Sequence, residues 1–317
     1  MPFSTIRFGA PGPVPWGQSR LPPLCGRCFL WRDFEMQKSA PHVAAIHDLS
    51  GMGRCSLGIV LPVLSALGCW CSPLPTAYLS SSTIFPPSDK FVFRDLTGEM
   101  AGSTEHWKEL DTRFDAVYSG FVGSAEQIGV LGRFIQTFRG PETLVMVDPV
   151  MGDWGKRYRT YTERMCEEMC ELAALADVIT PNLTEAAILL GEDYAAAPRD
   201  EAGLRRWLER LSLEGHRSVI LTGVHPGPGL VGAGCFDRET GEVAFAAAHE
   251  EPAQFPGTGD LFASVALGSL LAGKPLGKAT SLAVEFVGRC ARRTLELGTP
   301  IPEGVQYEGL LGELVRS

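Results

Sequence analysis

Phe255-Pro-Gly-Thr-Gly-Asp260 runs directly into Leu261-Phe-Ala-Ser-Val-Ala-Leu-Gly-Ser-Leu-Leu271. Two glycines bracket a threonine, an aspartate follows, and an apolar run with helical spacing opens at once. The pattern predicts a glycine-rich turn feeding a buried helix over 258–272. Glycine lets backbone N–H groups approach a ligand with no Cβ in the way. The first N–H groups of a helix lack internal partners and sit at the positive end of its dipole, a natural seat for an anion. Asp260 would then be a carboxylate beside an anion hole formed by Gly257, Thr258 and Gly259, where it can accept a proton from an attacking hydroxyl. Simple capping of the helix by Asp260 is the structural alternative.

Working outward, strands and helices alternate from His42 onward. Val43–Asp48, Cys69–Leu74, Asp115–Tyr118, Thr143–Asp148, Asp177–Thr180 and Ser218–Thr222 read as short buried strands. Helical periods fall between them at Ser56–Leu67, Ser103–Arg113, Ala125–Phe138, Thr162–Ala174, Thr184–Leu190 and Ala202–Leu213, and a last helix covers 276–297. Asp237-Arg-Glu-Thr-Gly241 between two apolar runs is a hairpin signal. Such alternation implies βαβ units, a mainly parallel sheet covered on both faces and an antiparallel edge. In this architecture ligands bind beyond the carboxyl ends of the strands. The polar residues that end strands are therefore the candidates.

Asp148-Pro-Val-Met-Gly-Asp153 places two carboxylates after a central strand, oxygen ligands suited to Mg²⁺; an Asp-Pro turn with Asp153 solvated is the alternative. Asn182 and Glu185 stand three apart at a helix start, either converging on one point or forming a helix cap. Thr222-Gly223 ends a further strand and offers hydrogen bonds to a phosphate. Asp48-Leu-Ser-Gly-Met-Gly-Arg-Cys-Ser56 is a turn with charge, hydroxyl and glycine, fit for a small polar substrate or for an ordinary strand-to-helix connection. It is neither GxGxxG nor a Walker loop, which argues against a nicotinamide-dependent oxidoreductase. His47 reads as a packed strand residue rather than a base, and Ser80–Thr83 as a loop.

The chain has 317 residues and a formal net charge of −9, which argues against nucleic acid or an anionic membrane as partner. Its longest apolar stretch, 57–75, is broken by glycine, proline and serine and is not a membrane span. Nine cysteines, mostly single in apolar patterns, suit reduced thiols in the cytoplasm. Cys25-Gly-Arg-Cys28 has no second pair at zinc spacing. Residues 1–40 are rich in proline and glycine, without helical or strand period; a disordered or mis-called N-terminal extension is expected there, with Met36 as an alternative start and the folded domain over 41–317.

Together these strand ends are more specific than any one of them. From about His42 onward the chain resembles the ribokinase-like superfamily, in its pyridoxal kinase branch. The carrying stretches are 48–56, Pro75-Thr-Ala-Tyr-Leu-Ser80, Ser119-Gly-Phe-Val-Gly-Ser-Ala-Glu-Gln127, 148–153, Thr180-Pro-Asn-Leu-Thr-Glu185 and Gly257-Thr-Gly-Asp260. The resemblance implies a three-layer α/β/α fold with a mainly parallel central sheet and a β-hairpin edge. It implies ATP-dependent phosphorylation of the 5′-hydroxymethyl group of a B6 vitamer in a cytoplasmic homodimer. Carried over by position, Asp260 is the base, and Gly257, Thr258 and Gly259 form the anion hole. Asp148 and Glu185 serve Mg²⁺; Asn182, Asp153, Thr222 and Gly223 lie on the phosphate side; Tyr161 lies over the nucleotide. Thr76 contacts the pyridine ring, with Asp48 and Ser50 beside it. A monovalent cation such as K⁺ would sit behind the anion hole. Many pyridoxal kinases carry a serine where Asp48 stands, and Asp-x-Ser-Gly is also similar to the hydroxymethylpyrimidine kinases. The choice of ring stays open on sequence, as does a non-catalytic sensor on the same scaffold.

Overall fold

The computed structural model describes residues 39–315, and its contacts divide the chain after Ser39. The N-terminal extension expected over 1–40, with Cys25, Cys28 and Met36, lies almost wholly outside the described residues.

In chain order the elements are β1 (His42–Ile46), β2 (Leu49–Ser50), α1 (Leu57–Ala66), β3 (Trp70–Pro73), β4 (Ala77–Leu79), β5 (Phe93–Asp95), α2 (Thr97–Glu109), β6 (Ala116–Ser119), α3 (Ala125–Phe138), β7 (Leu144–Val147), β8 (Gly152–Asp153) and β9 (Lys156–Arg157). Then follow α4 (Glu163–Ala174), β10 (Val178–Ile179), α5 (Leu183–Leu190), α6 (Glu201–Leu211), β11 (Ser218–Val224), β12 (Leu230–Phe236), β13 (Val243–His249), α7 (Thr258–Leu271), α8 (Leu276–Glu296) and α9 (Leu311–Leu314). The main sheet has eight strands in the order β13-β12-β11-β10-β7-β6-β1-β3. β3, β1, β6, β7, β10 and β11 pair in parallel, and β12 and β13 add the antiparallel edge. This is the α/β/α architecture expected.

The two-residue period of a strand divides the core in two. Ala44 and Ile46 of β1 join a cluster with Phe134 of α3, Met169 of α4 and Leu208 of α6. Val43 and Ala45 join the opposite cluster with Ile59 of α1, Leu261 and Val265 of α7 and Phe286 of α8. A sheet covered on both faces must be apolar on both, hence the unbroken runs in β1, β6 and β7. Every α7 residue from Leu261 to Ser269 is buried, so this helix is apolar all round rather than amphipathic.

Several elements differ from the sequence expectation. α2 begins at Thr97, not Ser103, with the Thr97 N–H donating to Asp95 Oδ1 at 2.9 Å. Gly98 and Gly102 in its first half hid it. A three-stranded sheet, β2-β4-β5, and a hairpin, β8-β9, were not anticipated. Strands of two or three residues are too short to show a period. Trp154 and Gly155 between β8 and β9 have φ of 53° and 73°, the twist that favours tight hairpins. Among the described residues the seven cysteines are free thiols, and no helix is long and apolar enough to cross a membrane.

Candidate active site

The carboxyl ends of the parallel strands deliver His47 and Asp48 after β1, Ser119 at the end of β6, Asp148 after β7, Thr180 after β10 and Thr222 in β11. Against this rim stands the N-terminus of α7. Gly257 caps it at φ +85°, with no capping side chain on the first-turn N–H groups. A Cβ at Gly257 would lie 2.3 Å from the Arg54 carbonyl oxygen and 2.5 Å from Ile59 Cδ1, so glycine is required by both conformation and space. A Cβ at Gly259 would meet nothing within 4 Å, leaving open space before the helix end. The Thr258 hydroxyl donates to the Phe255 carbonyl at 3.2 Å and closes the turn.

Asp260 lies in the first turn of α7. Its Oδ2 accepts the Ser56 backbone N–H at 2.8 Å, and its Oδ1 lies 4.0 Å from His47 Nδ1. Burial pushes its carboxyl up to about 7, against the Ser56 hydrogen bond and with help from Asp48. Ser56 holds φ +48°, ψ −132°, uncommon for a residue with a side chain. It is kept there by its hydroxyl, which donates to Asp48 Oδ1 at 2.5 Å, while the Ser50 hydroxyl donates to Asp48 Oδ2 at 3.1 Å. Asp48 is 6% exposed, and burial raises its carboxyl despite both hydroxyls. The turn after β1 therefore delivers one backbone N–H to Asp260 and one buried carboxylate beside it. β2 pairs with β4, tying this turn to the segment after Thr76.

Asp148 and Glu185 are both buried. Burial and then the Asp260 charge push Asp148 up to about 7; burial and then Asp148 raise Glu185 well above its ordinary value. Two carboxylates are thus buried here, with the charge of Asp148 raising Glu185 further. Among the described residues no group of three such side chains is arranged to hold a metal alone. Glu185 also completes a capping box: Oε2 accepts the Asn182 N–H at 2.8 Å, and Asn182 Oδ1 accepts the N–H groups of Thr184 and Glu185. Its Oε1 accepts the Met151 N–H at 3.2 Å, and Asn182 Nδ2 donates to the Gly152 carbonyl at 2.9 Å. The pair thus both caps α5 and locks the loop carrying Asp148 and Asp153. Glu185→Gln turns an N–H toward a backbone N–H. It is expected to raise the Mg²⁺ requirement about ten- to a hundredfold, the scale for groups that orient a metal site; a Mg²⁺ titration of ADP release that matches wild type would refute this.

Other expected residues fare differently. Asp153 is exposed on β8 and accepts the Trp154 N–H at 2.8 Å. Thr222 and Gly223 lie at a bulge in β11, where Gly223 has φ +70° with open space around its Cβ position. Thr76 is fully buried and its hydroxyl donates to the Phe121 carbonyl at 3.0 Å, so that hydroxyl is committed to the fold. Tyr161 is 5% exposed and packs in the core. The neighbouring Tyr158 is 41% exposed; burial of its hydroxyl first, then the charges of Glu185, Asp153, Asp148 and Asp260, raise it above its ordinary value. Of the two tyrosines, Tyr158 is the exposed one and Tyr161 the buried one. Sequence reasoning also missed Ser56, whose positive φ has no signature in its residue type, while His47 is packed in the fold as expected.

A mainly parallel α/β/α sheet, an uncapped glycine-bracketed helix N-terminus and a half-buried carboxylate beside it define the ribokinase-like phosphotransferases. Residues 106–303 match the phosphomethylpyrimidine kinase family model. The chain is 30% identical over 255 residues to a pyridoxine/pyridoxal/pyridoxamine kinase of Bordetella avium, covering 77% of this chain and 82% of that one. A Bacteroides thetaiotaomicron protein assigned to the phosphomethylpyrimidine kinases and crystallised with pyridoxal superposes with a TM-score of 0.82 at 41% identity, covering 87% and 96%. Pyridoxal kinase from Lactobacillus plantarum superposes with a TM-score of 0.79 at 29% identity, covering 87% and 97%. The chain belongs to the phosphomethylpyrimidine kinase family, in its pyridoxal kinase branch, and is a kinase.

Proposed function

We propose that this kinase transfers the γ-phosphoryl group of ATP to the 5′-hydroxymethyl group of pyridoxal, pyridoxine or pyridoxamine. The observation that carries the reading is the place of Asp260: a half-buried carboxylate in the first turn of α7, between the open helix N-terminus and the Asp48–Ser56 turn. Asp260 accepts the proton of the substrate hydroxymethyl group as its oxygen attacks in line. The N–H groups that open α7 receive the negative charge spread over the phosphoryl oxygens. Asp48, held by Ser50 and Ser56, faces the ring side. Asp148 and Glu185 would hold Mg²⁺, which neutralises phosphate charge when bound. Asp153, Tyr158, Thr222 and Gly223 border the nucleotide. Catalysis is then mostly positioning and electrostatics.

The pyridoxal in the Bacteroides crystal and the names of the Bordetella and Lactobacillus relatives support a B6 ring over a pyrimidine. The reading extends to a cytoplasmic homodimer; Leu49 and Tyr78, cross-strand neighbours that are 39% and 41% exposed, are a candidate for its apolar contact. ADP release with MgATP is the test. The three B6 vitamers and hydroxymethylpyrimidine are compared side by side, and kcat/KM for at least one vitamer is expected to exceed that for hydroxymethylpyrimidine tenfold or more, about 1.4 kcal/mol of discrimination. Turnover confined to hydroxymethylpyrimidine would overturn the substrate assignment.

A further inference from the structure

His47 follows β1 as an apparent packing residue, and it is fully buried. A packing residue at a strand end needs no nitrogens. Here both ring nitrogens lack a hydrogen-bond partner, a rare condition for buried polar atoms. The ring is held in place from two sides. Tyr118 of β6 lies edge-on at 4.4 Å between ring centroids. Gly120 lies so close that a Cβ there would sit 2.4 Å from Nδ1 and 2.6 Å from Cε1. From this socket Nδ1 faces Asp260 Oδ1 at 4.0 Å. The other oxygen, Oδ2, is already held by the Ser56 N–H. Catalytic hydrogen bonds are often long before substrate arrives and tighten in the reacting complex.

We propose that His47 is a positioning residue for Asp260, its Nδ1–H donating to Oδ1 when substrate is bound, so that the carboxylate is clamped between the imidazole and the Ser56 N–H with its free lone pair toward the substrate hydroxyl. This rests on the reading of Asp260 as the base. Burial drives the imidazole to the neutral form, down to about 3, so one nitrogen carries a proton to donate and no second buried charge is created. Gly120 is explained by the same arrangement, since any side chain there would displace the ring.

The test uses the full-length enzyme and the variants His47→Leu, His47→Asn, His47→Gln, Asp260→Asn and the Asp260→Asn/His47→Leu double variant, with kcat, both KM values and Tm for each. His47→Leu is expected to lower kcat about 10–100-fold, the scale of a misplaced reacting group, with both KM values within about threefold. The asparagine amide N–H falls where Nδ1–H lies, so His47→Asn recovers most of kcat. The glutamine amide reaches toward Nε2 instead and stays low. In the Asp260→Asn background His47→Leu costs nothing further, as expected of groups that act as a unit. Wild-type kcat in His47→Leu, a loss in KM rather than kcat, or equal losses in Leu and Asn that track Tm would overturn the proposal. If the leucine variant fails to fold, equal kcat in the Asn and Gln variants overturns it. Wild-type kcat in Asp260→Asn would instead strike down the base assignment itself.

Discussion

Asp260→Asn is expected to lower kcat by about 10²–10⁴, the usual contribution of a general base. Asparagine keeps the shape and an oxygen for the Ser56 N–H, so both KM values should stay within a few-fold. The loss is then of proton acceptance alone. The same substitution carries a pH signature. With its carboxyl pushed up to about 7, Asp260 in the free enzyme is half ionised near neutrality. The wild-type kcat/KM should rise with pH to about 7 and level off, and the variant should lose that limb. The stability effect has the opposite sign from a salt-bridged aspartate. The folded state keeps the Asp260 proton at pH values where the unfolded chain, at its ordinary value of 3.8, has released it. Stability from this group therefore falls as pH rises from about 4 to 7 and is flat above that. Neutral asparagine removes the penalty, so Asp260→Asn should melt no lower than wild type at pH 8, with the gap closing toward pH 4. Melting curves at the two pH values, beside the rate measurements, check both halves. A variant that melts lower at pH 8 and keeps its kcat would overturn the assignment.

Gly257→Ala is expected to damage both fold and activity. At φ +85° a side chain is strained, at about 1–2 kcal/mol. The new Cβ would also lie 2.3 Å from a backbone oxygen, which cannot swing aside like a side chain. Overpacking adds roughly 1–3 kcal/mol. The sum corresponds to a fall in Tm of several degrees at about 2–4 °C per kcal/mol. Any relief must shift either the Arg54–Ser56 turn, which holds Asp260, or the first turn of α7, so kcat should drop by about 10² or more. Gly259→Ala is the control: with open space around its Cβ it should keep or raise Tm while its methyl crowds the phosphoryl seat. Wild-type Tm and kcat in Gly257→Ala would contradict the packing described.

Much of this was legible beforehand. The strand and helix alternation survived in α3, α4, α5, β7 and the closing hairpin within a residue or two, because burial on both sheet faces leaves apolar runs that a sequence displays. The positions of the candidate residues were legible where residue type and local structure coincide: Asp260, Asp148, Asn182 and Glu185 stand at strand ends or helix starts, as their residue types suggested. They were illegible where conformation or choice of neighbour decides. Thr76 and Tyr161 have fitting residue types, but tertiary packing buries both, while Tyr158 nearby stays exposed. Ser56 works through its backbone, which no residue type reveals.

The division has a physical basis. Periodicity, turn residues and helix starts are local, set by a few consecutive residues, and they determined the layered fold, the order of its strands and helices and the carboxylates available at its rim. The pairing of groups far apart in the chain was decided only by tertiary packing. Ser56 meets Asp260, Gly257 meets Arg54, and His47 meets Gly120 and Asp260, in each case because two elements were pressed together around a common core. The raised carboxyls of Asp148, Glu185 and Asp260 belong to that packing as well, since burial is their leading cause, and burial depends on what covers a residue rather than on what it is.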